Sequence, residues 1–338
     1  MFDYLTRAER HLIKRVTVYH ADGVEQPGWL IDGKLRPGSD GVSDLKSMSS
    51  GIRELSDVEG RLAQMDEYGT DIQVLYPTMF LRPPTSDPKV EMALCGSYNR
   101  WLADRTAKAA GRMYWVVVPP LLSVEAAIEE IRFGVAHGAK GVFWRGFENG
   151  KLPSHPYFEP VLEVMDELSI PMCVHAGNGT PMLVNFMPDD RGIWRSKLSG
   201  VTTFHALLSS DVPKRYPNVR FGFVELAAQW IPYVLKDHIL RATPSGRSSQ
   251  RERDSWKEID ASTLMAENRL YVSCQTNDDL AYILQYAGPH NLIAGSDFGH
   301  ADTSSELLAL QRIHETPGVA PEDLDAILDA NPRALYGL

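Results

Sequence analysis

Seven short apolar runs, each closed by polar or turn-forming residues and followed by a helix-like or loop stretch, constrain this chain more than any other feature. They are "TDIQVLYP" (70–77), "MYWVVVPP" (113–120), "AKGVFWRG" (139–146), "IPMCVHAG" (170–177), "VRFGFVEL" (219–226), "RLYVSCQT" (269–276) and "NLIAGSDF" (291–298). Strands buried on both faces read as near-continuous apolar runs of this kind, the pattern of a parallel sheet. Stretches such as "DVEGRLAQMDEYG", "SVEAAIEEIRFGVAHG" and "YFEPVLEVMDELS" repeat apolar residues three and four apart, with Asp57 and Ser123 placed as N-caps. The repeating unit is strand, helix, strand, which leaves a doubly wound open sheet or a closed eight-stranded barrel. No GxGxxG follows a strand and no GxxxxGKS/T occurs, so the usual nucleotide-binding reasons for an open sheet are missing.

The expectation is therefore an α/β chain, a (β/α)8 TIM barrel over residues 1–338 as one domain, with its first strand missing or atypical. Residues 1–55 read as a surface excursion, rich in Gly, Asp and Ser, with "RVTVYHADG" as the only strand-like run; 177–204 and 241–262 read as loop insertions. A formal charge of −10, from 44 acidic against 34 basic side chains, repels phosphate backbones and argues against nucleic-acid partners. Cys95, Cys173 and Cys274 are odd in number, far apart and in apolar contexts, which fits core residues in a reducing cytoplasm. The N-terminal "MFDYLTRAERHLIKRV" has no apolar core of a leader, and no run approaches the ~18 apolar residues of a membrane span, so a cytoplasmic chain without a membrane partner is expected.

In such barrels functional side chains collect where strands finish. Arg145, His175, Glu225 and Asp297 end strands here, with His205 and His300 in flanking segments. Two imidazoles, a Glu and an Asp converging on one mouth suit zinc, manganese or iron. Each residue also has a plainer reading. His175 can be a hydrogen-bonded structural residue, His205 in "TTFHALLSS" can simply be packed in a helix, and Asp297 can cap a helix starting near Ser304 or Ser305. Glu225 follows "RFGFV", where an unpaired carboxylate costs several kcal/mol and a nearby cation removes that cost. Arg145 after "GVFW" poses the same problem with opposite sign; a substrate carboxylate or an internal salt bridge would each solve it.

The chain resembles the amidohydrolase-related proteins typified by aminocarboxymuconate semialdehyde decarboxylase, the amidohydrolase 2 family. The resemblance runs through "YNRWLADRTAKAAGRMYWVVVPP", "GAKGVFWRG", "HPYFEPVLEVMDELSIPMCVHAG", "RYPNVRFGFVELAAQWIPYVL", "NLIAGSDFGH" and "NPRALYGL". It implies a metal-bearing (β/α)8 barrel catalysing hydrolysis or non-oxidative decarboxylation, with His175 and Asp297 as metal ligands. Two departures stand out. Members open with a strand ending Asp-x-His, two further ligands, whereas this chain begins as if just after it, and His20 and Asp22 in "YHADG" have the reversed order and read as a surface turn. Glu225 stands where decarboxylase members carry a histidine that handles protons.

The expected activity is that of a metal-dependent hydrolase or decarboxylase acting on a small carboxylate-bearing molecule. His175 and Asp297 would hold the ion with help from Glu225 or His205. Arg145 would orient the substrate, and Asp297, Glu225 and His300 would serve catalysis, with His300 shuttling protons. Zinc is the first expectation. An alternative lets Glu225 bridge two iron or manganese ions ~3.5–4 Å apart in an oxygenase. A third makes the chain a metal-poor scaffold. The segment "MLVNFMPDDRGIWRSKL" suits a lid or a subunit contact and "SGRSSQRERDSW" (245–256) an exposed insertion, so a homo-oligomer or a heteromer with a homologous subunit is expected.

Overall fold

A computed structural model describes residues 1–21, 23, 25–37, 49–186, 192–243, 249–250, 254–298 and 306–338 of the 338-residue chain. They form two compact units: Met1–Phe143 with Asp297–Leu307, and Trp144–Ser296 with Leu308–Leu338.

The first unit opens with an antiparallel meander, β1 (Ile13–Tyr19), β2 (Glu25–Ile31) and β3 (Lys34–Pro37). Its register pairs Ile13 with Ile31 and Tyr19 with Glu25. Ile13 and Ile31 are buried while Lys14, Arg15, Thr17 and Tyr19 face outward, so only part of one face is covered. The β2–β3 hairpin turns on Asp32 and Gly33, whose φ values of 51° and 70° are both positive. That is the type I′ requirement, and an Asp-Gly pair meets it at low cost. The run "RVTVYHADG" thus does hold a strand, but an antiparallel one that supplies no first strand to the parallel set. His20, just after β1, is exposed and its Nε2 lies 2.6 Å from Gln26 Oε1; Asp22 lies outside the described residues.

All seven expected parallel strands form. The first unit carries β4 (Gln73–Leu75), β5 (Met113–Val117) and β6 (Ala139–Trp144, its last residue opening the second unit), with Gln73 opposite Met113 and Trp115 opposite Ala139. One helix precedes β4, and others connect the three strands. The helix Val58–Glu67 is capped by Asp57, which accepts from the Gly60 N–H at 2.8 Å, and the helix Val124–Ala136 by Ser123, which accepts from the Ala126 N–H. On the helix Pro88–Thr106, fully buried Asn99 exchanges two hydrogen bonds with the backbone of Val118, 3.0 and 2.9 Å, and locks that helix to the end of β5.

The second unit carries β7 (Met172–His175), β8 (Phe221–Val224), β9 (Leu270–Cys274) and β10 (Leu292–Ala294), each parallel to the next. Every residue of β7 and β8 is buried, which is why those runs lack polar alternation. Gly222 on β8 is required by a close approach: a Cβ there would sit 2.7 Å from Leu335 Cδ2. The helices Leu198–Leu208, Ile231–Ala242, Ala261–Glu267 and Leu280–Ala287 connect and cover these strands. The parallel strand and helix alternation of the (β/α)8 expectation is present, with seven parallel strands and no eighth among the described residues. None of the described helices is long and apolar enough to cross a membrane.

Candidate functional site

Two expected site residues meet in the second unit. His175 ends β7 and is 6% exposed. Its Nδ1–H donates to the carbonyl of Ala176 at 2.8 Å. That bond selects the tautomer, so a neutral ring carries its lone pair on Nε2. Nε2 faces Glu225 Oε2 at 2.8 Å. The two atoms are in contact without the alignment of a hydrogen bond, and Oε2 is buried with no hydrogen-bond partner among the described residues. A ring nitrogen and a carboxylate oxygen held this close call for a positive charge between them, a proton on Nε2 or a metal cation. The pair therefore fits a divalent cation, as a nitrogen and an oxygen donor of intermediate hardness.

The segment after β8 is built to aim Glu225. Glu225 and Ala227 adopt left-handed φ values of 60° and 57°, unfavourable for residues with a Cβ. Neighbours hold this strain in place. Ser273 Oγ at the end of β9 accepts from the Glu225 N–H at 3.4 Å, and Asp278 Oδ2 accepts from the N–H groups of Ala228 and Gln275 at 2.9 and 2.8 Å. Burial pushes the Asp278 carboxyl above its ordinary pKa, against the pull of these backbone donors. Backbone strain of this kind clusters at active sites and ligand clamps.

Arg145 has an internal partner. Its Nε donates to Glu148 Oε1 at 2.9 Å, its Nη2 to Oε2 at 2.6 Å, and its backbone N–H to Oε1 at 2.8 Å. Arg145 is 5% exposed and Glu148 fully buried. Ser199 Oγ donates to the carbonyls of Arg145 and Gly177, and a Cβ at Gly179 would run into the Glu148 carboxylate. The cluster is a joint between the loops after β6 and β7 and the helix Leu198–Leu208. The Glu148 contact occupies Nε and Nη2, one edge of the fork.

His205, on that helix, has its Nε2 3.6 Å from Asp237 Oδ2 and its ring 5.9 Å from that of His238. Asp237 is engaged by Arg241 at 2.6 Å, whose hydrogen bond holds its carboxyl below the ordinary range. Asp297 belongs to the first unit, with φ of 47°, and Phe298 beside it stacks on Arg61. His300 lies outside the described residues. Among the described residues no group of three or more His, Cys, Asp and Glu side chains gathers around one point that could hold a metal. Sequence reasoning missed Glu148, Ser273, Asp278 and Arg61. Only Glu148 had a local signal, as an opposite charge three residues from Arg145, beyond Gly146 and Phe147.

The family model described as Amidohydrolase matches residues 51–338. The chain belongs to the amidohydrolase family, and so to a family of enzymes. No curated protein sequence matches the chain. Among solved structures it is similar to an amidohydrolase from Mycobacterium avium subsp. paratuberculosis K-10, with 17% identity, TM-score 0.73 and coverage of 100% of this chain and 95% of that one. It is also similar to 5-carboxyvanillate decarboxylase from Sphingomonas paucimobilis, with 17% identity, TM-score 0.64 and 82% of both chains covered. A third similar structure is a dihydroxybenzoic acid decarboxylase from Polaromonas sp. JS666, solved with manganese and the inhibitor 2-nitroresorcinol, with 17% identity, TM-score 0.61 and coverage of 83% of this chain and 86% of that one. At such identities the likeness shows a shared fold. None of these three proteins is described as an oxygenase, and the dinuclear oxygenase reading gains no support from them.

Proposed function

We propose that this amidohydrolase is a divalent-metal-dependent lyase that decarboxylates a small aromatic acid without an external oxidant. The observation that carries the reading is the His175–Glu225 pair, a ring nitrogen and a carboxylate oxygen 2.8 Å apart at adjacent strand ends, on a fold shared with two decarboxylases of carboxylated phenols. His175 and Glu225 would hold the ion, and the family resemblance implies Asp297 as a further ligand. A bound divalent ion supplies a fixed positive charge for the substrate's oxygens.

The chemistry left to the chain is proton placement. A proton is delivered to the ring carbon that bears the carboxylate; the bond from that carbon to the carboxyl carbon then breaks, its electron pair restores the aromatic ring, and carbon dioxide departs. Asp297 is the proposed carrier of that proton and His300 the group that exchanges it with solvent. With no histidine at the position of Glu225, proton handling in this chain is assigned to Asp297 and His300.

The test is turnover of a panel of hydroxybenzoates by the purified protein. Decarboxylation should disappear with a chelator and return with manganese or zinc. Hydrolysis of amides or lactones without release of carbon dioxide would replace this reading with a hydrolase.

A further inference from the structure

Arg61 is the least expected side chain of the first unit. It lies on the helix Val58–Glu67 and is 4% exposed. Among the described residues its hydrogen-bond partner is Gln73 Oε1, which its Nε meets at 3.0 Å, and no carboxylate lies within ion-pair distance of it. Its guanidinium lies 3.3 Å from the ring centroid of Phe298. Burial alone depresses its pKa, to about 9. A buried cation without a counter-ion is costly, and surface or packing needs do not call for one. An aliphatic side chain of the same reach would fill the space without that cost.

What the guanidinium does that an aliphatic group cannot is grip a π-face while a directional bond fixes its own orientation. Gln73 opens β4, so Arg61 is pinned to a strand and not to a loop. Phe298 immediately follows Asp297, whose φ of 47° is the left-handed conformation that residues with a Cβ avoid. A left-handed residue can relax by rotating its own peptide, and rotation at Asp297 must carry Phe298 with it. With the Phe298 ring clamped, that relaxation is blocked.

We infer that Arg61 is a positioning residue, which holds the strained Asp297–Phe298 turn through a guanidinium stack anchored on Gln73 and so fixes the direction of the Asp297 carboxylate. The inference rests on the proposed role of Asp297 as a metal ligand and goes beyond it by naming what orients that ligand. An outer residue of this kind alters metal affinity by roughly 10–100-fold when removed.

The experiment is calorimetric titration of the full chain with manganese, for the wild type, Arg61→Met, Arg61→Lys, Phe298→Leu and the Arg61→Met/Phe298→Leu double variant, alongside Asp297→Ala and apo-protein melting curves. Arg61→Met should bind manganese roughly 10–100-fold more weakly, with Arg61→Lys between it and the wild type because an ammonium keeps the cation–π contact but not the fork. Phe298→Leu should match Arg61→Met, and the double variant should lose no more than either single one, since each removes the same contact. A merely structural role would lower the melting temperature of both variants and leave manganese affinity unchanged. Wild-type affinity in Arg61→Met and Phe298→Leu, with binding abolished in Asp297→Ala, overturns the positioning role and leaves the metal reading standing. Absence of manganese binding in the wild type overturns both.

Discussion

Two buried arginines in this chain are held in opposite ways. In the second unit, Arg145 is bound on one edge by the fully buried Glu148, and both are tied to the loops around them. In the first, Arg61 has an amide oxygen and an aromatic ring, and no carboxylate among the described residues. The difference separates a joint from an anchor. A guanidinium whose charge is met inside the fold pins backbone segments, and its removal is felt as lost stability. A guanidinium whose charge is not met contributes little net stability, and its worth must lie in what it orients.

The comparison can be broken most directly at Glu148. Glu148→Ala strands the Arg145 charge and should cost about 3–5 kcal/mol in chemical denaturation, whereas Arg145→Met with Glu148→Leu should recover most of that loss; equal losses in the single and double variants would deny that the pair is a closed unit. Gly179→Ala pushes a methyl group against the same carboxylate and should cost about 1–3 kcal/mol, read as a lower denaturation midpoint at unchanged slope. Arg61→Met should change stability by no more than about 1 kcal/mol in either direction. A loss there as large as at Glu148 would erase the contrast and make Arg61 a second joint.

The smallest effect is a pH slope. Burial raises the Asp278 carboxyl above its ordinary pKa. Between the unfolded value and this raised one the folded state holds more protons than the unfolded chain, so this group makes stability fall as pH rises through that window. Asp278→Asn should flatten that part of the profile, as measured by melting temperature against pH.

The strands of the parallel set were legible because burial on both faces leaves an unbroken apolar run, as in "MCVH" and "FGFV", and the caps Asp57 and Ser123 because their bonds close within three residues. The meander was not, although "DG" at 32–33 is a hairpin signal; Pro27 and Gly28 inside β2 disguise a strand that has little to bury. At the site, the strand-end position and chemistry of His175 and Glu225 could be read, since both ride on apolar runs, and their contact is a new fact of the fold. The fate of Arg145 turned on a residue three positions away, and that of Arg61 on Phe298, far along the chain, where no spacing rule reaches.

The central claim is that His175 and Glu225 grip a divalent cation. Metal content of the purified chain tests it most directly, with His175→Ala and Glu225→Gln beside the wild type. The account predicts about one tightly held divalent ion per wild-type chain and its loss from both variants, with the fold retained by circular dichroism. Equal metal content in all three proteins, or none in the wild type after incubation with manganese and zinc, would contradict it.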